Sequence, residues 1–279
     1  MLMCLKDCMN IKKIRDDYGT NKQEVLYGIS KSIVRFTGNE KKSTDFLNSI
    51  KGIYEGKRCF ILGNGPSLSA EDLDKLTEEI TFASNRIYKI FDKTCWRPTY
   101  YTIFDEGVGA DKDLQKNVQA MSCVKFVRSQ GYYVYRKLGN NICYVNTWYD
   151  RKYLDCPQFS EHVSDGIYSI ATVTYNTIEI ARWMGFSNIY LLGMDNRYAY
   201  SKLRDGSVVR NEGVVSYFSD TGQTLPDPSK AVSTWEMDLA YEFADKYSRT
   251  HGFRIYNATR GGFLEKFERA DLDEVLRQP

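Results

Sequence analysis

Arg58-Cys59-Phe60-Ile61-Leu62-Gly63-Asn64-Gly65-Pro66-Ser67-Leu68 decides the fold. Four apolar residues run straight into a glycine-bracketed turn, and so short and continuous a run reads as a strand buried on both faces, as in a parallel sheet. Glycines on either side of Asn64 allow a tight turn and bring backbone N–H groups close to a ligand. Ser69 then stands as N-cap of the next helix. Asp72 gives an acidic form of the capping box, and Leu68 and Leu73 occupy the two positions of a hydrophobic staple. Strand, glycine turn and helix N-terminus form the layout of a phosphate- or nucleotide-binding crevice, although such turns also occur without any ligand. The turn departs from the dinucleotide fingerprint. Leu68 holds the third glycine position, Pro66 stiffens the loop, and the strand about 20 residues on ends in Asn85-Arg86 rather than an acidic residue. No Gly-Lys-Ser/Thr follows, so a Walker-type loop is absent too.

Working outward, strand-like stretches fall at 59–62, 80–84, 100–104, 124–127, 142–145, 189–192 and 253–256. Helix-like stretches fall at 69–79, 173–184 and 233–250, with a short one from Asp271. Gly185 suits a left-handed C-cap, and Ser233 with Glu236 forms a capping box. The alternation predicts an α/β fold, Rossmann-like, with a mostly parallel sheet flanked by helices over residues 56–279. Residues 1–55 read as a helical N-terminal extension, with Ile11, Ile14, Tyr18 and Leu26, Ile29, Ile33 at helical spacing; it packs on the core or on another subunit. Residues 196–230, rich in Gly, Ser, Asp and Pro, read as a lid-like insertion.

The formal charge of +2 gives no bias towards nucleic acid. The 21 tyrosines are the compositional outlier, suited to nucleotide- and carbohydrate-facing surfaces and equally to core and interface. The seven scattered cysteines form no Cys-x-x-Cys pair and read as a reduced protein without a zinc site. No apolar run approaches a membrane span of about 18 residues, and Lys6, Asp7 and Lys12 interrupt any secretory apolar core. A cytoplasmic protein is expected, with peripheral membrane contact left open but not favoured.

In open α/β sheets ligands sit beyond the carboxyl ends of the strands. Those ends present Gly63, Asn64, Gly65 and Ser67, then Asn85 and Arg86, then Asp105 and Glu106. Later ones present Asp195 to Tyr200, and Asn257 to Gly262 with Arg260 among them. Ser169, Thr172 and Thr174 gather where the helix before Gly185 begins, an N-terminus suited to an anion. Asn85 also suits a turn cap, Asp195 an Asx turn, Thr172 a plain N-cap and Arg260 a helix-end shield. No metal signature appears, since Asp72-Leu73-Asp74 and Asp271-Leu272-Asp273 sit at helix starts. Of the two histidines, His162, in the loop before Ser164-Asp165-Gly166, is the more interesting, although such a residue is more often structural than catalytic.

Four motifs in order resemble the MptE-like domain family: Gly63-Asn64-Gly65-Pro66-Ser67-Leu68, Ser84-Asn85-Arg86, Met184-Gly185-Phe186 leading to Ile189-Tyr190-Leu191-Leu192-Gly193-Met194-Asp195, and Ile255-Tyr256-Asn257-Ala258-Thr259-Arg260-Gly261-Gly262. That family is named for an archaeal hydroxymethylpterin diphosphokinase and also occurs in bacterial surface-polysaccharide loci and flagellin-modification proteins. The same motifs resemble the bacterial sialyltransferases of glycosyltransferase family 42. The resemblance implies a nucleotide-sugar-binding domain in a glycosyltransferase of surface-polysaccharide biosynthesis, working without a metal. Its donor would be a CMP-sugar and its acceptor a glycan or lipid-linked group. Asn64, Ser67 and Asn85 would contact the CMP moiety, Asp195 its cytidine or ribose, and Tyr198 and Tyr200 the departing phosphate. In those enzymes a histidine between the tyrosine loop and the last long helix is the base. Residues 201–230 contain none here; Asp220, Asp105 or His162 could serve in that role, or the acceptor is a different group. The alternatives are a diphosphokinase that moves pyrophosphate from ATP with magnesium, and a non-catalytic nucleotide-binding module. A homo-oligomer is compatible with either.

Overall fold

The computed structural model describes residues 22–149, 152–220 and 227–278. The helical spacing read at Ile11, Ile14 and Tyr18, and residues 221–226 of the insertion, lie outside them. Two helices come first, α1 (Lys22–Phe36) and α2 (Asn39–Ser49). Then follow β1 (Arg58–Leu62), α3 (Ala70–Lys75), β2 (Thr81–Ser84), β3 (Tyr100–Ile103), α4 (Glu106–Gly109) and α5 (Lys112–Gln119). Next are β4 (Val124–Arg128), α6 (Tyr132–Tyr135), β5 (Ile142–Val145), β6 (Thr147–Trp148), α7 (Lys152–Asp155) and β7 (Ile167–Tyr168). The remaining elements are α8 (Val173–Trp183), β8 (Asn188–Leu192), the hairpin of β9 (Tyr200–Lys202) and β10 (Val208–Arg210), α9 (Thr234–Thr250), β11 (Arg254–Asn257), β12 (Glu268–Arg269) and α10 (Leu272–Arg277).

Each of the seven expected strands is present within one residue of its expected bounds. With β12 they form one sheet in the order β12-β11-β8-β1-β2-β3-β4-β5, every neighbouring pair parallel. The chain steps outward from β1 to β5, then returns to lay β8 on the other side of β1. The topological switch point therefore lies between β1 and β8, where such sheets open a crevice.

The apolar run at β1 is buried on both faces, as its composition requires. Cys59 and Ile61 pack into the layer formed with α2, α8 and α9. Phe60 and Leu62 pack into the layer formed with α3, α5, α6 and α10. Full burial of side chains such as Phe60 and Phe82 stabilises the fold by about 1.5–3 kcal/mol each. Parallel register stacks Phe60 on Tyr190 and Tyr190 on Tyr256, with ring centroids 5.3 and 5.2 Å apart. Tyr101, Tyr135 and Tyr175 are fully buried, so much of the tyrosine excess is core.

The N-terminal helices cover the β5 edge of the sheet, which would otherwise present unpaired backbone groups. The amide of Tyr144 in β5 donates to Ser43 Oγ of α2 at 2.9 Å. They thus pack on this chain's own core. The face that α1 buries differs from the expected Leu26, Ile29, Ile33 stripe. Ser30 and Val34 are buried and Leu26 stays 39% exposed, because the helix is turned to lay the Tyr27 ring against β4. At α9 the expected cap is not formed, since the Ser233 side chain accepts no amide. Ser69 does accept the Asp72 amide, Thr172 the Thr174 amide, and Gly185 is left-handed at φ 93°.

Candidate functional site

A cleft of about 460 Å³ lies across the carboxyl ends of β8, β1, β2, β3 and β4, a size suited to a small-molecule ligand. Its floor is the junction of the turns after β1 and β8. Gly63 N donates to Leu192 O at 2.8 Å and Gly65 N to Gly193 O at 2.9 Å. Ser67 donates to Asp195 Oδ2 from Oγ at 2.7 Å and from its amide at 3.3 Å. A Cβ on Gly63 would overlap the Gly193 carbonyl, and one on Gly65 would overlap the Asp195 carboxylate. These glycines therefore serve the approach of one turn to another. The expectation that their amides cradle a ligand is corrected, because those N–H groups are consumed by β8 and its turn.

What the turns after β1 and β2 do offer is side-chain amide. Asn64 Nδ2 donates to Ser84 O at 3.1 Å, while its Oδ1 is buried without a partner. Asn85 is held left-handed at φ 51°, and its Oδ1 is also buried and unpartnered. Leaving a buried acceptor unmade costs about 1–3 kcal/mol, which a ligand N–H or O–H would remove. Both residues line the cleft.

The N-terminus of α8 forms the opposite wall through Ala171, Thr172, Val173 and Thr174. Ala171 and, after β8, Asn196 are left-handed too, both at φ 52°. Three phenols line the cleft, Tyr198, Tyr217 and Tyr241, and of these Tyr241 meets this wall at Thr172 and Thr174. The rings of Tyr198 and Tyr217 meet edge-on with centroids 6.1 Å apart. Phe218 N donates to Asn64 O at 3.0 Å and Ala199 N to Ser216 Oγ at 2.9 Å, which ties the Tyr217 segment to the β1 turn. Burial pushes the Tyr198 phenol well up, with Tyr241, Tyr217 and Asp195 adding to the rise. Burial also raises Tyr241, against hydrogen bonds with Thr172 and Thr174. Protonated at neutral pH, each phenol is an O–H donor, and Tyr241 stands beside the positive end of the α8 dipole.

At the far end, Asp105 caps α4 by accepting Val108 N at 3.0 Å. Glu106 and Arg128 also line the cleft there, with Arg128 Nε 3.2 Å from Glu106 Oε1. Burial raises the Glu106 carboxyl, and Arg128 opposes the rise. Glu236, in the first turn of α9, brings a carboxylate to the cleft without a hydrogen bond or ion pair among the described residues.

Of the expected site residues, Gly63, Asn64, Gly65, Asn85, Asp105, Thr172, Asp195 and Tyr198 line this one cleft. The others do not. Ser67 is engaged by Asp195. Tyr200 is in the hairpin, paired with Arg210. Asp220 closes its own turn by accepting Tyr217 N at 3.0 Å. His162 stands edge-on to Trp183, 6.3 Å between centroids. Asn257 is fully buried, donating to Leu264 O at 2.7 Å and accepting Thr259 N at 3.0 Å. Arg260 pairs with the buried Asp72 and with Ser69 outside the cleft. Tyr217, Tyr241, Glu236 and Arg128 were missed. Arg128 was within reach, for the strand-end rule that yields Asn85 and Asp105 yields it when applied to the strand at 124–127.

The sequence profile of the family described as 6-hydroxymethylpterin diphosphokinase MptE-like matches residues 34–201, more than half of the 279. The chain belongs to the MptE-like family. The MptE-like match takes in the β1 turn, Asn85, Arg128, the α8 N-terminus and Tyr198, and stops before Tyr217, Glu236 and Tyr241. A solved structure, the MAf glycosyltransferase from Magnetospirillum magneticum AMB-1, is similar with a TM-score of 0.49 at 16% identity, over 84% of this chain and 38% of that one. The MptE-like chain thus spans well under half the length of that protein, and no activity is carried over from a likeness at this level. No curated protein matches it in sequence. Among the described residues no helix is long and apolar enough to cross a membrane, and no three His, Cys, Asp or Glu side chains are grouped to hold an ion.

Proposed function

We propose that this MptE-like chain is a metal-independent glycosyltransferase that takes a nucleotide-activated sugar, CMP-linked before others, and passes the sugar to a hydroxyl of a glycan or lipid-linked acceptor. The observation that carries the reading is the set of three phenols, Tyr198, Tyr217 and Tyr241, that line one cleft together with the N-terminus of α8. Breaking a glycosyl–phosphate bond leaves the electron pair on a phosphate oxygen. Oriented O–H donors and a helix N-terminus stabilise that charge as it develops, the work a divalent cation does elsewhere. Asn64 and Asn85, with unpartnered carboxamide oxygens, would accept from N–H and O–H groups of the nucleoside. The acceptor oxygen attacks the anomeric carbon as the phosphate departs, and Glu236 takes the acceptor's proton. The described part of the insertion, residues 196–220, carries Tyr198 and Tyr217 and would close over the donor.

The family's own description favours a second reading, pyrophosphate transfer from ATP. Magnesium is usually held by one or two carboxylates together with the phosphates. Asp195 is engaged by Ser67, Asp105 by Val108 and Glu106 by Arg128, which leaves Glu236 as the unengaged carboxylate. A melting-temperature panel of CMP, CDP, UDP, GDP and ATP, each with and without magnesium, separates the two. A ligand at about 100 times its dissociation constant stabilises by about 2.7 kcal/mol. A metal-independent shift with CMP supports the transferase. A shift with ATP and magnesium alone sinks it and promotes the diphosphokinase.

A further inference from the structure

The far end of the cleft holds a charged group that no step above uses. Arg128 ends β4 with its side chain only 12% exposed, yet it lines the cleft. Its Nε is buried without an acceptor in hydrogen-bonding geometry, although Glu106 lies 3.2 Å away. Its two amino groups meet no protein acceptor among the described residues. An arginine with five donors, largely desolvated, ordinarily satisfies them by a fork on a carboxylate or a bidentate grip on a phosphate. Here the planar face is taken instead, by the Tyr27 ring of α1 at 4.9 Å. The Tyr27 hydroxyl also donates to Glu106 Oε2 at 3.5 Å, so the N-terminal helix fixes both members of the pair. Beside them the hydroxyl of the fully buried Tyr135 has no partner either, and its nearest charged neighbours include Glu106 and Arg128.

We propose that Arg128 is the receiving group for an oxyanion of the substrate, separate from the phosphate at α8, so that the molecule handled at this end of the cleft is acidic. The proposal rests on the transferase reading for what occupies the β1 end, and on the Arg128 geometry alone for the charge. Neighbouring strands lie about 4.8 Å apart, which sets β4 roughly 14 Å from β1. A nucleoside anchored at Asn64 and Asn85 would not extend there, whereas the transferred sugar or the acceptor would. A carboxylate on a sugar ring and a phosphate on an acceptor share the chemistry the guanidinium recognises. Tyr27 is a positioning residue, acting through Arg128.

The test uses the full chain and three probes on one ring: glucuronate, glucose 6-phosphate and glucose, each titrated by calorimetry or melting temperature in the presence of saturating CMP. The wild-type chain should respond saturably to glucuronate or to glucose 6-phosphate and not to glucose, the stronger of the two naming the source of the charge. Arg128→Gln should lose that response at least tenfold and Arg128→Lys should keep part of it. Because Arg128→Gln strands a buried carboxylate, Arg128→Gln with Glu106→Gln is run beside it as the charge-balanced variant. Tyr27→Phe, which keeps the ring, should respond nearly as wild type, and Tyr27→Leu should weaken the response. No anion response in the wild-type chain, or an undiminished one in the charge-balanced variant, overturns the proposal. The CMP response alone in wild type and variants reports on the transferase reading independently.

Discussion

Replacing Gly65 by alanine separates two roles that a glycine turn can have. In the structure the added Cβ falls on the Asp195 carboxylate and the Gly193 carbonyl. The turn must then move away from β8. Overpacking of this kind costs about 1–3 kcal/mol. Displacing Asp195 also breaks its bond with Ser67 Oγ, and a hydrogen bond to a charged group contributes about 1.5–3 kcal/mol. The sum is about 2.5–6 kcal/mol, a fall in melting temperature of about 5–12 °C for a chain of this size. The assay is thermal and urea unfolding of Gly65→Ala, Asp195→Gly and the double variant. Removing the carboxylate that the Cβ meets should return at least about 1 kcal/mol as a non-additive coupling. A Gly65→Ala chain that unfolds like wild type and merely loses CMP binding would refute the reasoning, and would restore the view that the glycine exists for the ligand. Strict additivity in the double variant would refute it too.

Other outcomes follow from the same geometry. Tyr198→Phe, Tyr217→Phe and Tyr241→Phe should each cut turnover about 10- to 1,000-fold at unchanged CMP affinity, as loss of a transition-state donor does, while Tyr200→Phe stays near wild type; steady-state rates on an identified donor decide it. Arg260→Ala should cost about 1–2 kcal/mol, measured by urea unfolding, by leaving the buried Asp72 without its partner, a modest figure because the arginine is itself 59% exposed. Its CMP response should be unchanged. Burial holds the carboxyl of Glu179 well above 4.5, even though it accepts the amides of Ser160 and Tyr168. Stability tied to its neutral form is complete below about pH 4.5, where the unfolded chain also binds the proton, and declines as pH climbs. Glu179→Gln should flatten that decline in a melting series, and parallel slopes in the two proteins would count against it.

The sheet was legible because its strands are apolar runs buried on both faces, which no helix or loop of this chain imitates. The two-residue strands β6, β7 and β12 carry no such run and were invisible. The phase of α1 was misread because the helix meets the core through Val34 and a Tyr27 ring stacked on Arg128 rather than through the Leu26, Ile29, Ile33 stripe. Half of the site was legible for a different reason, since the ends of parallel strands converge wherever the order of the sheet reverses. Asn64, Asn85, Asp105 and Asp195 are found by that rule. Tyr217 and Tyr241 are not, because a loop and a helix deliver them from elsewhere in the chain, and only the packing of the Tyr217 segment on Asn64 brings it over the cleft. Tyr200 and Asp220 were misplaced for the converse reason. They are neighbours in sequence of cleft residues, but their backbone is occupied in closing a hairpin and a turn.

The left-handed residues around the cleft bear on how this protein would respond to selection for heat resistance. Of its four non-glycine residues at positive φ among those described, Asn85, Ala171 and Asn196 line the cleft. Asparagine tolerates that backbone, whereas alanine carries a cost of about 1–2 kcal/mol with no side-chain bond to offset it. Ala171 immediately precedes the cap of α8, so its unfavourable backbone aims the helix end at the cleft. A thermostabilising screen should therefore recover Ala171→Gly early, as a chain that melts higher and whose α8 terminus is less firmly aimed. Robustness and turnover are set against each other at a single methyl group.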